Sequence, residues 1–245
     1  MRWIAAIGGG AFVLASLAVG IRLLLLAART RGLPETTLGF GLALMGGLAY
    51  PLTNVARQAQ ALSDETRTGL MVAAHVLMVI GVGCIAIFTW QVFRPGSRFA
   101  RGGVVGILVA LVACFIWQGI SPGYRAGALA KEGLAIVGIN GLAAVAMGWT
   151  AVESLRYAAL LRRRIPLGLA EPRIARQVTL WGMASGAATL IALVALALHA
   201  VGLDPATSTA GALVIGPFGL VAAICLSKAF GGSSSPRTAR AEDAS

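Results

Sequence analysis

Residues 69–93 read GLMVAAHVLMVIGVGCIAIFTWQVF, without one charged side chain, between Asp64-Glu65-Thr66-Arg67 and Arg94-Pro95-Gly96-Ser97-Arg98. At about 1.5 Å of rise per helical residue the stretch is long enough to cross a hydrocarbon core roughly 30 Å thick. It has no polar face to turn toward water, and within lipid a lone segment satisfies its own backbone only as a helix. Working outward from it, the same reading predicts six further spans: Trp3–Ala28, Glu35–Arg57, Gly102–Ser121, Gly133–Leu161, Arg176–Val201 and Thr209–Phe230. The connections are short and punctuated by Pro, Gly and charge, as in Arg29-Thr30-Arg31-Gly32-Leu33-Pro34 and Arg162-Arg163-Arg164-Ile165-Pro166.

Composition agrees. Hydrophobic residues make up 58% of the 245 and charged residues 12%, about half the charge of an ordinary soluble domain. The expected fold is therefore an all-α, seven-transmembrane-helix bundle. Residues 1–230 form its single domain, and residues 231–245, rich in Gly and Ser, form a disordered cytoplasmic tail.

The net charge of +11 would suit a nucleic-acid binder in a polar chain. Here it sorts by side. Loops after the first, third and fifth spans, with the tail, hold fifteen basic against five acidic residues, a net +10; the other side holds five against four, +1. Basic loops stay cytoplasmic, so the N-terminus is expected outside and the C-terminus inside. Reading the first span as a cleaved signal peptide would leave Arg22, Arg29 and Arg31 on the wrong side, so it is read as retained. Heavy use of Ala, Gly and Arg points to a bacterial inner membrane. The expected partners are the bilayer, a small-molecule ligand and a cytoplasmic protein, with no nucleic acid.

Polar groups within spans are costly in hydrocarbon and mark bundle interiors or water-filled sites. Tyr50, His75 and Asn140 fall at one level of the outer half, with Asn54, Trp117, Gln118, Tyr124 and His199 nearer the outer mouth. The candidate ligand-binding set is Tyr50, Asn54, His75, Gln118, Asn140 and His199. A second set lies toward the cytoplasm: Arg22, Gln91, Glu153, Arg156, Tyr157, Gln177 and Trp181. Glu153 is the lone acid in the inner part of a span, and an intramembrane ion pair with Arg22 or Arg156 would lower its cost, the latter lying one turn along the same helix. Pro51 and Pro217 fall inside spans and should kink them. Gly102/Gly106, Gly119/Gly123 and Gly182/Gly186 have the spacing of close helix contacts.

Catalytic readings find little support. A retinal Schiff base needs a lysine in the middle of the seventh span, and Lys228 lies at its end. His75 and His199 differ in depth by about six residues, roughly 9 Å, which is awkward for one haem. Ser185 lies well below His75, too far for a nucleophile and its base. Two histidines without an intramembrane Asp do not make a zinc site, and the cysteines, Cys84, Cys114 and Cys225, read as packing residues. No enzyme activity, metal or cofactor is expected. The functional expectation is a receptor-like or sensory seven-helix module. One alternative is a small-solute transporter built as three helices, a linker helix and three helices, hinted at by Arg29-x-Arg31-x-x-Pro34 and Arg162-x-Arg164-x-Pro166. Another is an accessory subunit of a membrane complex.

Overall fold

Asp64–Phe93 forms one uninterrupted helix that starts a turn before the charge-free stretch. Ser63 caps it by accepting the Thr66 N–H at 3.2 Å, and Asp64 and Glu65 sit in its first turn, where the helix dipole favours negative charge. The computed structural model describes residues 2–59, 61–120, 134–203, 205 and 208–230. Its helices are α1 (Arg2–Thr30), α2 (Leu33–Gln58), α3 (Asp64–Phe93), α4 (Arg98–Ile120), α5 (Leu134–Arg164), α6 (Pro172–Ala200) and α7 (Thr209–Phe230). No strand occurs among the described residues. All except α5 are long and apolar enough, by length and composition, to cross a membrane. α5 is as long as its neighbours and carries no charged residue from Leu134 to Ala151. The tail over 231–245 lies outside the described residues.

The distribution of side chains is the reverse of a soluble protein's. Large apolar residues such as Leu14, Ile80, Val109, Val145, Leu193 and Ile224 face outward, while the interior is dominated by alanine and includes Ser16, Thr89, Thr150, Ser154 and Ser185. Water would not tolerate so continuous an apolar surface, whereas lipid covers it at no cost. The chain is a multi-pass helical bundle.

Six helices close a ring. α1 packs on α2, α2 on α3, α3 on α5, α5 on α6, α6 on α7, and α7 returns to α1. α4 packs chiefly on α3 and α5 from outside the ring, and it is the least buried of the apolar helices. Because successive helices alternate in direction, α3/α5 and α7/α1 are the two parallel pairs. α4 lies outside the ring, between α3 and α5. α2 and α6 each carry a proline in the first turn, Pro34 and Pro172. The predicted echo pairs Pro34 with Pro166, but Pro166 belongs to a short 3-10 turn, Ile165–Leu167, that ends on Gly168 in the left-handed region at φ 69°. The proline that opens α6 is Pro172.

Glycine makes these contacts possible. A Cβ on Gly8 of α1 would run into the Gly216 carbonyl of α7, and one on Gly219 would come within 2.8 Å of the Gly8 carbonyl oxygen. One on Gly81 of α3 would lie 2.8 Å from the Met45 backbone of α2. Of the spacing motifs in the sequence, Gly182 packs against Ser154 and Leu155, but Gly102, Gly106 and Gly119 have nothing within 4 Å, and Gly123 lies outside the described residues. Pro51 bears on the local geometry of α2. It follows a π-helical stretch, Leu42–Ala49, because a residue without N–H leaves a carbonyl of the preceding turn unpaired and the helix widens to accommodate it.

Candidate functional site

The ring helices line a half-open cavity of about 190 Å³ in the half of the bundle nearer the N-terminus. Every ring helix contributes to it. α1 supplies Gly9 and Phe12, α2 supplies Met45, Gly46 and Tyr50, and α3 supplies Met78. α5 adds Asn140, Ala143 and Met147; α6 adds Ala188, Ile191, Ala192 and Ala195; α7 adds Ile215 and Gly219. Neither in-span proline lines it, although Pro51 follows Tyr50 and Pro217 lies between Ile215 and Gly219 in sequence. The widened turn of α2 and the bare backbones of Gly46 and Gly219 leave space where a regular, side-chain-bearing helix would fill it.

The walls are apolar, and three of them are methionines. Thioethers are flexible and polarisable, so they mould to differently shaped apolar ligands. The polar side chains in the lining are Tyr50 and Asn140. Tyr50 lays its hydroxyl against Gly9, 3.3 Å from where a Cβ would stand. Asn140 makes no side-chain hydrogen bond among the described residues. A carboxamide in an apolar interior normally finds partners, because leaving it unpaired costs about 1–3 kcal/mol. Here it offers two donors and an acceptor to whatever occupies the cavity.

The remaining candidates divide. Asn54 turns back on its own helix, donating to the Tyr50 carbonyl at 2.9 Å. His75 is buried one turn from Met78, and Arg57 lies close enough to Tyr50 and His75 to act on both electrostatically. His199 lies one turn beyond Ala195, toward the end of α6. Gln118 is fully buried, but on α4, the helix outside the ring. Trp117 is exposed, and Tyr124 lies outside the described residues. Tyr50 and Asn140 thus come together in the cavity, with His75 and His199 a turn away.

Below the cavity, toward the arginine-rich end, Glu153 is paired, though not as expected. Its Oε2 accepts from Arg94 Nε at 3.0 Å. Arg22 and Arg156 are both exposed and do not reach it. The reason is geometric: Glu153 faces inward toward the end of α3, where Arg94 stands, while Arg156 points away from the ring. Arg94 reads in sequence as one more topology-setting loop arginine, and nothing in its local pattern marks it as a partner of Glu153. Beside this pair Phe93 meets Tyr157 edge-on at 5.8 Å, and Trp181 meets both Phe88 and Phe230 at 6.1 Å. These rings close the bundle beneath the cavity.

The arrangement is a membrane-type helical ring, with one helix outside it, around an apolar, sparsely polar cavity. The chain matches no family model, no curated protein and no solved structure.

Proposed function

We propose that this chain is a small-solute carrier of a bacterial inner membrane, with its N-terminus outside and its arginine-rich face in the cytoplasm. The observation that carries the reading is the cavity lined both by α1–α3 and by α5–α7, which the carrier reading takes as two three-helix units. Carriers built from parallel repeats bind near the midplane between repeats and expose the site by moving one unit against the other. The ligand has an apolar body and one hydrogen-bonding group, matched to Met45, Met78 and Met147 around the Asn140 amide. An engineered protein cavity of about 150 Å³ takes benzene, so one ring with a small substituent is the scale.

The test is native mass spectrometry of the protein purified from its host membranes. A bound non-lipid species of roughly 100–200 Da, the mass of such a one-ring compound, is expected, and proteoliposomes should accumulate it. Phospholipid adducts alone would overturn ligand binding and leave an accessory role. A ligand that binds without crossing favours the receptor-like reading, for which the exposed Leu167 and Leu169 amid Arg162, Arg163, Arg164 and Arg173 provide a surface for a cytoplasmic protein. Orientation has its own check: a reporter fused after Ser245 should read cytoplasmic and one inserted between Gln58 and Glu65 periplasmic. The reverse pattern would invert the carrier.

A further inference from the structure

Hydroxyls in helices usually settle on the carbonyl one turn back. Thr53, Thr89, Thr150, Thr179 and Thr189 all do so, at 2.8 or 2.9 Å. Ser154 and Ser185 do not. Their side chains are 0% and 1% exposed, and neither Oγ has a hydrogen-bond partner among the described residues. The Trp181 indole N–H, one turn from Ser185 and also buried, has none either.

These groups are not scattered. From the cavity floor at Met147 and Ala188, the next positions toward the arginine-rich end are Thr150 and Ser154 on α5, and Ser185 and Trp181 on α6. Ser154 packs on Gly182, so the two helices present these groups to a common interface. On the α3 side the Thr89 and Thr150 hydroxyls are 2.6 Å apart. Beyond them stands the Arg94–Glu153 pair. Both polar contacts join α3 to α5, the boundary between the two three-helix units. At the opposite boundary α7 meets α1 backbone to backbone at Gly8, Gly216 and Gly219, nearer the other end of the bundle.

The geometry points to a polar passage along the α3/α5/α6 seam, leading from the cavity to the arginine-rich face, with the Arg94–Glu153 ion pair as its gate. The inference rests on the carrier reading and specifies its inner exit. Buried polar groups in a bundle interior mark the route of a polar or hydrated species. The hydroxyls and the indole N–H are donors, and an arginine stands at the mouth, so the passage suits a solute whose polar group accepts hydrogen bonds, such as a carboxylate. Releasing the ion pair removes one of the two polar contacts between α3 and α5, leaving the Thr89–Thr150 contact, apolar packing and α4 against both helices, and the glycine contact at the other end serves as the pivot.

The experiment uses the full chain in nanodiscs, with Cys84, Cys114 and Cys225 replaced by alanine. Ser154→Cys or Ser185→Cys is introduced singly, and the reagent is the anionic sulfonatoethyl methanethiosulfonate. Val152→Cys, facing outward beside Glu153 at 53% exposure, is the control. Adding Glu153→Gln or Arg94→Gln should speed labelling at both serine positions roughly threefold to tenfold, the scale of a partly exposed latch removed from a two-state equilibrium, and leave Val152→Cys unchanged. The charge swap Arg94→Glu with Glu153→Arg should restore slow labelling. Rates that do not respond, or that rise equally at Val152→Cys, would overturn the gate. If Glu153→Gln does not fold, Arg94→Gln, at a half-exposed helix end, carries the test. Labelling needs no ligand, so an empty cavity with a responsive gate would fell the ligand reading alone, and the converse would fell the gate alone.

Discussion

Gly8→Ala is expected to destabilise the bundle by about 2–4 kcal/mol, as overpacking of a rigid contact does. The added methyl would meet the carbonyl group and Cα of Gly216. No side chain is there to rotate aside, so one helix has to withdraw from the other along the whole α1/α7 face. Because α7 returning to α1 is what closes the ring, the cavity should open with it. Gly10→Ala is the control, two residues along, where nothing lies within 4 Å; it should be neutral or slightly stabilising. Thermal unfolding in detergent, followed by tryptophan fluorescence, measures both. Equal melting of the two variants would mean that α1 and α7 do not meet as described.

That contrast also shows what glycine spacing reveals. Gly102 and Gly106 have the motif and face outward; Gly8, Gly216 and Gly219 make the tight crossing, and two of them sit on one helix at no motif spacing. A spacing rule sees one helix at a time, whereas a contact needs a partner with a gap at the same height. The spans themselves were legible because lipid imposes a length and a polarity on each independently of the others. The predicted start of the last span at Thr209 coincides with the observed one. The starts of α3, α4 and α6 were read about a turn late. Asp64 and Pro172 suit a first turn, and Ser97 caps the one that Arg98 opens; these residues are poor lipid-facing ones, and hydropathy detects the edge of the hydrocarbon and not the end of the helix.

Site residues were legible in proportion to their chemistry. Tyr50 and Asn140 stood out as polar groups at one depth, and the structure brings both to the cavity. Asn54 had the same signature but spends its amide on its own helix, a choice set by local rotamer and invisible in composition. Met45, Met78 and Met147 read as ordinary apolar residues; their shared level on three helices becomes informative only once the ring order is known. Glu153 was expected to pair with Arg22 or Arg156 and pairs with Arg94. The choice of Arg94 depended on α3 standing beside α5, a non-sequential contact that linear reading does not supply.

Asn140→Leu separates stability from function most sharply. Leucine has the branched heavy-atom skeleton of asparagine with bulkier ends, and it replaces a half-buried carboxamide that has no partner among the described residues, so the empty protein should gain about 1 kcal/mol. A residue kept for packing alone would show that gain and nothing else. If Asn140 holds the polar group of the ligand, the same substitution should weaken binding roughly 10- to 100-fold, because the ligand then buries a polar group without its partner. Opposite movement of the melting temperature and the affinity is the signature of a polar residue retained for binding at a cost in stability. The readouts are thermal unfolding of the empty protein and titration with the compound released from the native protein. Benzene, which needs only the apolar walls, should bind both forms to within a few-fold. Unchanged affinity for the native compound would remove Asn140 from the site and leave the cavity with Tyr50 as its polar side chain.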